Sequence, residues 1–236
     1  GAGTRNPLSF QLLVFLAGAG RAYIVEPEKW DNLDDWRVLW GLQELVLRLL
    51  SGNFSSMYFK SNMLERMNDF LDPESLFFKQ NSENVLNKSS VCIINSYFEN
   101  AGIPEWSIDL LSSRSVLEHV MDYNKCFDEF AKVMRPGGLM YHDIGLAAHS
   151  NKDLFEFYYK DRRKLHEKIT DGLNELRLSD YLSHFEKRGF ECKIIRKTIE
   201  SNYSLDRGKI QERFRKYNDE DLLCSRVVVI ARRESH

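Results

Sequence analysis

Ile108-Asp109-Leu110-Leu111-Ser112-Ser113, Ser115-Val116-Leu117-Glu118-His119-Val120 and Val133-Met134-Arg135-Pro136-Gly137-Gly138-Leu139 follow one another closely and decide the fold. The first reads as a strand, Ser107 to Ser112. Tyr123 to Val133 carries apolar residues three and four apart and predicts a helix. The Pro-Gly-Gly turn then leads into a second strand, Leu139 to Ile144. Strand, helix, glycine turn and strand make a β-α-β unit, whose two strands run parallel in one sheet.

Working outward, the same grammar repeats. Upstream, Gly1-Ala2-Gly3 precedes an apolar helix-like stretch, Leu8 to Ala19, closed by Gly18 and Gly20. A β-prone run, Ala22 to Val25, ends on Glu26 and Pro27. Glycine loop, helix, strand and acid form the back half of a nucleotide-binding β-α-β unit. Its front strand is expected either upstream of Gly1 or from another segment that fills the gap, because a doubly wound sheet without its central strand exposes two unpaired edges. Trp30 to Leu50 predicts a helix, 51–90 an insertion or lid, and Ser90 to Tyr97 another strand. Downstream, 146–178 is charged and aromatic and predicts helices over a pocket. Ser179 stands as the N-cap of a helix Tyr181 to Arg188, ended by Gly189. Strands Phe190 to Lys197 and Ser225 to Ala231 close the chain. The expectation is a single α/β domain over 1–236, a Rossmann-like, doubly wound and mostly parallel sheet with insertions at 51–90 and 146–178.

Composition excludes several classes. With 43% hydrophobic and 29% charged residues the chain buries a core and is not a disordered polymer. Lys plus Arg is 33 against 35 for Asp plus Glu, which leaves no basic footprint for nucleic acid. The longest apolar run falls far short of the roughly 20 residues of a membrane span. Cys92, Cys126, Cys192 and Cys224 are scattered without metal-ligand spacing and read as reduced thiols of a cytoplasmic protein. No metal site is indicated, although Asp143 with Glu118 is one pairing to consider.

Taken together, the glycine loop, the acid after the next strand, the Asp109 strand, Leu117-Glu118-His119 and Arg135-Pro136-Gly137-Gly138 resemble class I S-adenosylmethionine-dependent methyltransferases. The resemblance runs from Gly1 to about Tyr141, with the later strands fitting the family's closing hairpin, and leaves out Ser51 to Ser90 and the segment after Ile144. It implies S-adenosylmethionine as cofactor, with Gly1, Ala2 and Gly3 at its methionine end and Glu26 on the ribose hydroxyls. It also implies Glu99, with Asn100, on the adenine side and Ser112 and Ser113 beneath the sulfonium. The competing readings are a cloning scar for Gly1-Ala2-Gly3 and exposed loop acids for Glu26 and Glu99. His142-Asp143-Ile144-Gly145-Leu146-Ala147-Ala148-His149 and Asn174-Glu175-Leu176-Arg177-Leu178-Ser179-Asp180-Tyr181 resemble a subset linked to sugar and natural-product methylation. Two acids of that pattern are replaced by Gly145 and Ala148, and an arginine by Glu175.

Methyl transfer to a hydroxyl needs an aligned acceptor and a base, and a neutral histidine suits the second task. His149 and His142 are the candidate bases, with Asp143 beside them. The alternative makes His142 a packed strand residue and His149 a surface residue. Phe155, Phe157, Tyr158 and Tyr159 line either an acceptor pocket or the buried side of a covering helix. The expected activity is O-methylation of a small hydroxylated acceptor, without nucleic-acid or membrane partners. Two other readings stand beside it. One is a methyltransferase-like scaffold that has lost catalysis, suggested by Gly145 and Ala148; the other is a nicotinamide-dependent oxidoreductase, which the Arg-Pro-Gly-Gly turn opposes.

Overall fold

The computed structural model describes residues 19–27, 91–148, 153–159 and 172–235. The predicted helices upstream of Ala19 and over Trp30–Leu50, the insertion 51–90 and, within 146–178, residues 149–152 and 160–171 lie outside these residues. The chain divides into two compact units, Gly3–Ala101 and Gly102–His236 with Gly1–Ala2.

In the first unit β1 (Ala22–Val25) and β2 (Val91–Ile94) pair in parallel, Ala22 opposite Val91 and Val25 opposite Ile94. Ala22 and Ile24 are buried, the alternation a half-buried strand requires. β2 is shorter than the expected Ser90–Tyr97. Ser96 N–H turns back onto the Ile94 carbonyl at 3.1 Å, and a 3-10 turn, Phe98–Asn100, follows.

In the second unit the elements are β3 (Ile108–Arg114), α1 (Tyr123–Val133), β4 (Met134–Gly145), α2 (Leu178–Glu186), β5 (Phe190–Ile199), α3 (Asp219–Leu223) and β6 (Cys224–Arg233). The sheet order is β3-β4-β6-β5. β3 and β4 are parallel, while β6 runs antiparallel to both β4 and β5. The α/β class is as expected. Among the described residues β1–β2 and β3–β4 pair in parallel, and β5 and β6 form an antiparallel closing hairpin against β4.

The Arg-Pro-Gly-Gly turn is absorbed into β4. Ile108 pairs with Met134, the register shifts, and Leu110 then pairs with Leu139. Gly138 is required there, since a Cβ would come within 2.8 Å of Met134 Cε and 2.9 Å of the Arg135 carbonyl. Arg135 donates to the Trp106 carbonyl at 2.7 Å and to Asp109 at 3.1 Å, which joins two of the signature segments.

α1 buries Cys126, Phe127, Phe130 and Val133 from one face. Phe185 of α2 meets Phe127 edge-on at 4.7 Å, and His142 of β4 lies 5.4 Å from Phe130 and 5.3 Å from Phe185. A second core joins Ala148, Phe155, Phe157 and Tyr158 to Ile210, Phe214 and Leu222. Phe155, Phe157 and Tyr158 are therefore interior packing.

α2 starts at Leu178, earlier than expected, and Ser179 is not its cap. Asp180 accepts the Arg177 N–H at 2.9 Å, and the Ser179 hydroxyl is instead bonded to Asp221. Gly189, at φ 75°, ends the helix region in the left-handed conformation that glycine tolerates.

Candidate active site

In open α/β sheets ligands gather beyond the carboxyl ends of the strands. In the first unit Glu26 stands there. It follows β1 directly, its N–H donates to the Ile94 carbonyl at 3.0 Å, and its side chain is buried. Glu99 is half-buried and Asn100 exposed in the 3-10 turn after β2. Gly102, at φ 66°, turns the chain immediately afterwards.

In the second unit Ser112 and Ser113 are half-buried near the end of β3. Ser115, just past the strand, has φ 51°, a left-handed conformation that costs a non-glycine residue about 1 kcal/mol or more. Its N–H is held by the Asp143 carbonyl at 2.8 Å. Ser113 faces His142 across the β3–β4 pairing, and Ser113 Oγ lies 2.8 Å from His142 Nδ1. His142 is fully buried, and its Nε2 has no hydrogen-bond partner among the described residues. Burial holds this imidazole down to about 3, so the ring is neutral at physiological pH.

Asp143 faces the other side of the sheet. Arg226 grips it with two bonds, Nε to Oδ1 at 2.6 Å and Nη2 to Oδ2 at 2.8 Å. Arg114 Nε adds a looser contact at 3.7 Å. The Arg226 hydrogen bonds outweigh burial and hold the Asp143 carboxyl below the usual carboxylate range. Glu118, in the 3-10 turn Leu117–His119, is buried and accepts the Gly145 N–H at 3.1 Å. A Cβ on Gly145 would sit 2.9 Å from Glu118 Oε1. Glycine at 145 therefore accommodates Glu118, and Ala148 is buried in the aromatic core. Both departures from the subset pattern have packing reasons.

The Asn174–Tyr181 segment performs structural tasks at nearly every polar position. Asn174 Nδ2 donates to the carbonyls of Leu117 at 2.7 Å and Val120 at 3.0 Å, clamping the turn that carries Glu118. Its Oδ1 accepts from the Tyr181 hydroxyl at 3.1 Å. Glu175, at φ 60°, pairs with Arg213 at 2.8 Å. Arg177 is fully buried and donates to the carbonyls of Leu146 at 2.6 Å, Asp221 at 3.0 Å and Cys224 at 2.6 Å. Tyr158 also reaches the Leu222 carbonyl at 2.6 Å.

Of the residues anticipated for the site, Ser112, Ser113, His142 and Asp143 occupy adjoining positions on β3 and β4 of one unit. Glu26, Glu99 and Asn100 stand at two strand ends of the other. Gly1, Ala2, Gly3 and His149 lie outside the described residues. Sequence reasoning missed Arg226, Arg114 and Ser115. Arg226 sits 83 residues from its partner, a separation no local pattern reveals.

In the first unit, the buried Glu26 carboxylate at a strand end has the chemistry to accept from two vicinal hydroxyls, such as those of a cofactor ribose. Among the described residues no group of three His, Cys, Asp or Glu is placed to hold a metal. Nor, among them, is any helix long and apolar enough to cross a membrane. The four cysteines are free thiols.

Residues 50–142, under half of the chain, match the family model described as a methyltransferase domain. The expectation of a class I S-adenosylmethionine-dependent methyltransferase is borne out over that span. No curated protein matches the chain. Among solved structures, an S-adenosylmethionine-dependent methyltransferase from Methanosarcina mazei is 12% identical, with 97% of this chain and 89% of that one covered and a TM-score of 0.46. The YcgJ protein from Bacillus subtilis is 15% identical, with 66% and 80% covered and a TM-score of 0.40. A methyltransferase of the same cofactor class from Thermotoga maritima is 18% identical, with 65% and 70% covered and a TM-score of 0.41.

Proposed function

We propose that this chain is an O-methyltransferase that uses S-adenosylmethionine on a small hydroxylated acceptor, a sugar or natural product, in the cytoplasm. The observation that carries the reading is the methyltransferase-domain match, which spans β2, β3, α1 and the first part of β4 and ends on His142. In this reading Gly1, Ala2 and Gly3 line the methionine end, Glu26 accepts from the ribose hydroxyls, and Glu99 beside Asn100 meets the adenine amino group. Ser112 and Ser113 lie beneath the reacting centre. Bound S-adenosylmethionine supplies an electrophilic methyl carbon on a positive sulfonium.

The chain's own work is to hold the acceptor oxygen in line and to remove its proton. In-line placement alone lowers a barrier by several kcal/mol. We assign the proton to His149. His142 is enclosed between Phe130 and Phe185 and has a different task, to fix Ser113. An orphaned buried N–H costs more than an orphaned lone pair, so the favoured tautomer donates from Nδ1 to Ser113 Oγ. The Ser113 hydroxyl proton then points outward, available to a ligand. Asp143, engaged by Arg226, is a positioning residue.

The test is incubation with methyl-labelled cofactor and a panel of hydroxylated sugars and phenols. Label on a hydroxyl, reduced at least about tenfold by His149→Gln, supports the reading. Label found only on nitrogen or carbon refutes O-methylation.

A further inference from the structure

Arg114, Asp143, Val228 and Arg196 stand directly opposite one another on β3, β4, β6 and β5, in a single row across the sheet. Residues in such a row share a face. Arg226 is two residues from Val228, opposite Gly145, and is on that face too. Because His142 packs toward α1 and α2, its neighbour Asp143 and the whole row face the opposite side. One row earlier, on the same face, are Ser112, Tyr141 and Lys193.

The charges do not cancel. Among the described residues Asp143 and Glu118 are the carboxylates that act on Arg226, and Asp143 also feels Arg114 and Arg196. Arg226 occupies both oxygens of Asp143. Arg114, with its side chain 73% exposed, makes among the described residues only the 3.7 Å side-chain contact. Arg196 is exposed, and no side-chain hydrogen bond or ion pair engages its guanidinium among the described residues. Three guanidiniums and Lys193 thus meet two carboxylates, one of them already gripped. Guanidinium forks match the paired oxygens of carboxylates and phosphates. The position is equally suggestive, beyond Ser112 near the carboxyl end of parallel strands, where α/β sheets place ligands.

We propose that Arg114, Arg196 and Arg226 form an oxyanion subsite, and that the methyl acceptor carries a carboxylate or phosphate that docks there. The assignment to the acceptor rests on the methyltransferase reading; the anion site itself does not. Arg226 is held in place by Asp143, while Arg114 and Arg196 are the adjustable arms. The subsite selects an anionic acceptor over its neutral counterpart.

The experiment is calorimetric titration of the chain with inorganic phosphate and, separately, malonate, at constant ionic strength, with potassium chloride as the blank. Wild type is expected to show saturable binding of at least one of them, with phosphate alone or malonate alone identifying the acceptor's charged group. Arg114→Gln and Arg196→Gln, both at exposed positions, are each expected to weaken it about fivefold, the effect of about 1 kcal/mol. Binding that the double variant retains, or heats no different from the chloride blank, overturns the proposal. A parallel titration with S-adenosylhomocysteine separates the two claims. If it binds while both anions fail, the subsite is wrong and the enzyme class stands. If the anions bind and it does not, the subsite's link to a methyl acceptor is overturned. Unchanged S-adenosylhomocysteine affinity in the double variant shows that the fold is intact.

Discussion

Ser113 Oγ lies 2.8 Å from His142 Nδ1, across the pairing of β3 with β4. One side chain belongs to the strand end where a ligand is expected. The other is enclosed among Phe130 and Phe185. A hydroxyl that would otherwise rotate is thereby fixed by a ring that burial keeps neutral.

That neutrality makes stability pH-dependent. His142 is depressed to about 3 in the folded chain, whereas an unfolded histidine titrates near ~6.5. Between those values the unfolded state binds the extra proton, so stability is complete above the unfolded value and falls as pH drops. His184, lowered by burial and by Arg188, acts in the same direction. Asp143 and its arginines lose their contribution only at lower pH. Urea unfolding at pH 7.5, 6.5 and 5.5 is expected to show falling stability, by at most about 1.4 kcal/mol per pH unit from His142. Stability that is flat or rising toward pH 5.5 contradicts this account.

Gly145→Ala is expected to destabilise the chain by about 1–3 kcal/mol, the usual cost of forcing an atom into packed space. The new Cβ would sit 2.9 Å from Glu118 Oε1. Thermal unfolding checks this, and Glu118→Ala on the same background is expected to recover part of the loss. A Gly145→Ala protein as stable as wild type would show that the Glu118 carboxylate swings aside at little cost.

Arg177→Met removes the donor shared by the Leu146, Asp221 and Cys224 carbonyls. Leaving buried acceptors unpaired costs about 1–3 kcal/mol each before relaxation. A loss of at least about 3 kcal/mol is expected in denaturant unfolding. Arg177→Lys should rescue little, because one ammonium cannot reproduce a planar fork.

Much of this was legible in advance. The helix Tyr123–Val133 is where its periodicity placed it, and Asp122 caps it as a polar residue before an apolar run should. The glycine turn, the strand ending at Val25 and the α/β class follow equally from local pattern. The start of β4 did not, because pairing with Ile108 draws Met134 into the strand before the glycines. Nor did the helix cap at Arg177, whose side chain is committed to carbonyls more than thirty residues away. The motif containing Arg177 suggests acceptor chemistry when read as a string. In three dimensions Asn174, Arg177, Ser179 and Tyr181 tie down backbone and neighbouring side chains. Long-range polar pairs such as Asp143 with Arg226 leave no periodic trace, so the electrostatics of the site emerged only with the fold.

The central claim is that the chain binds the methyltransferase cofactor through Glu26. Calorimetric titration with S-adenosylhomocysteine tests it directly, with Glu26→Ala alongside. The account predicts binding in the micromolar range, weakened at least about tenfold by the variant, as expected for a lost charge-assisted pair of hydrogen bonds. No binding to the wild-type chain, or equal binding to both proteins, would contradict it.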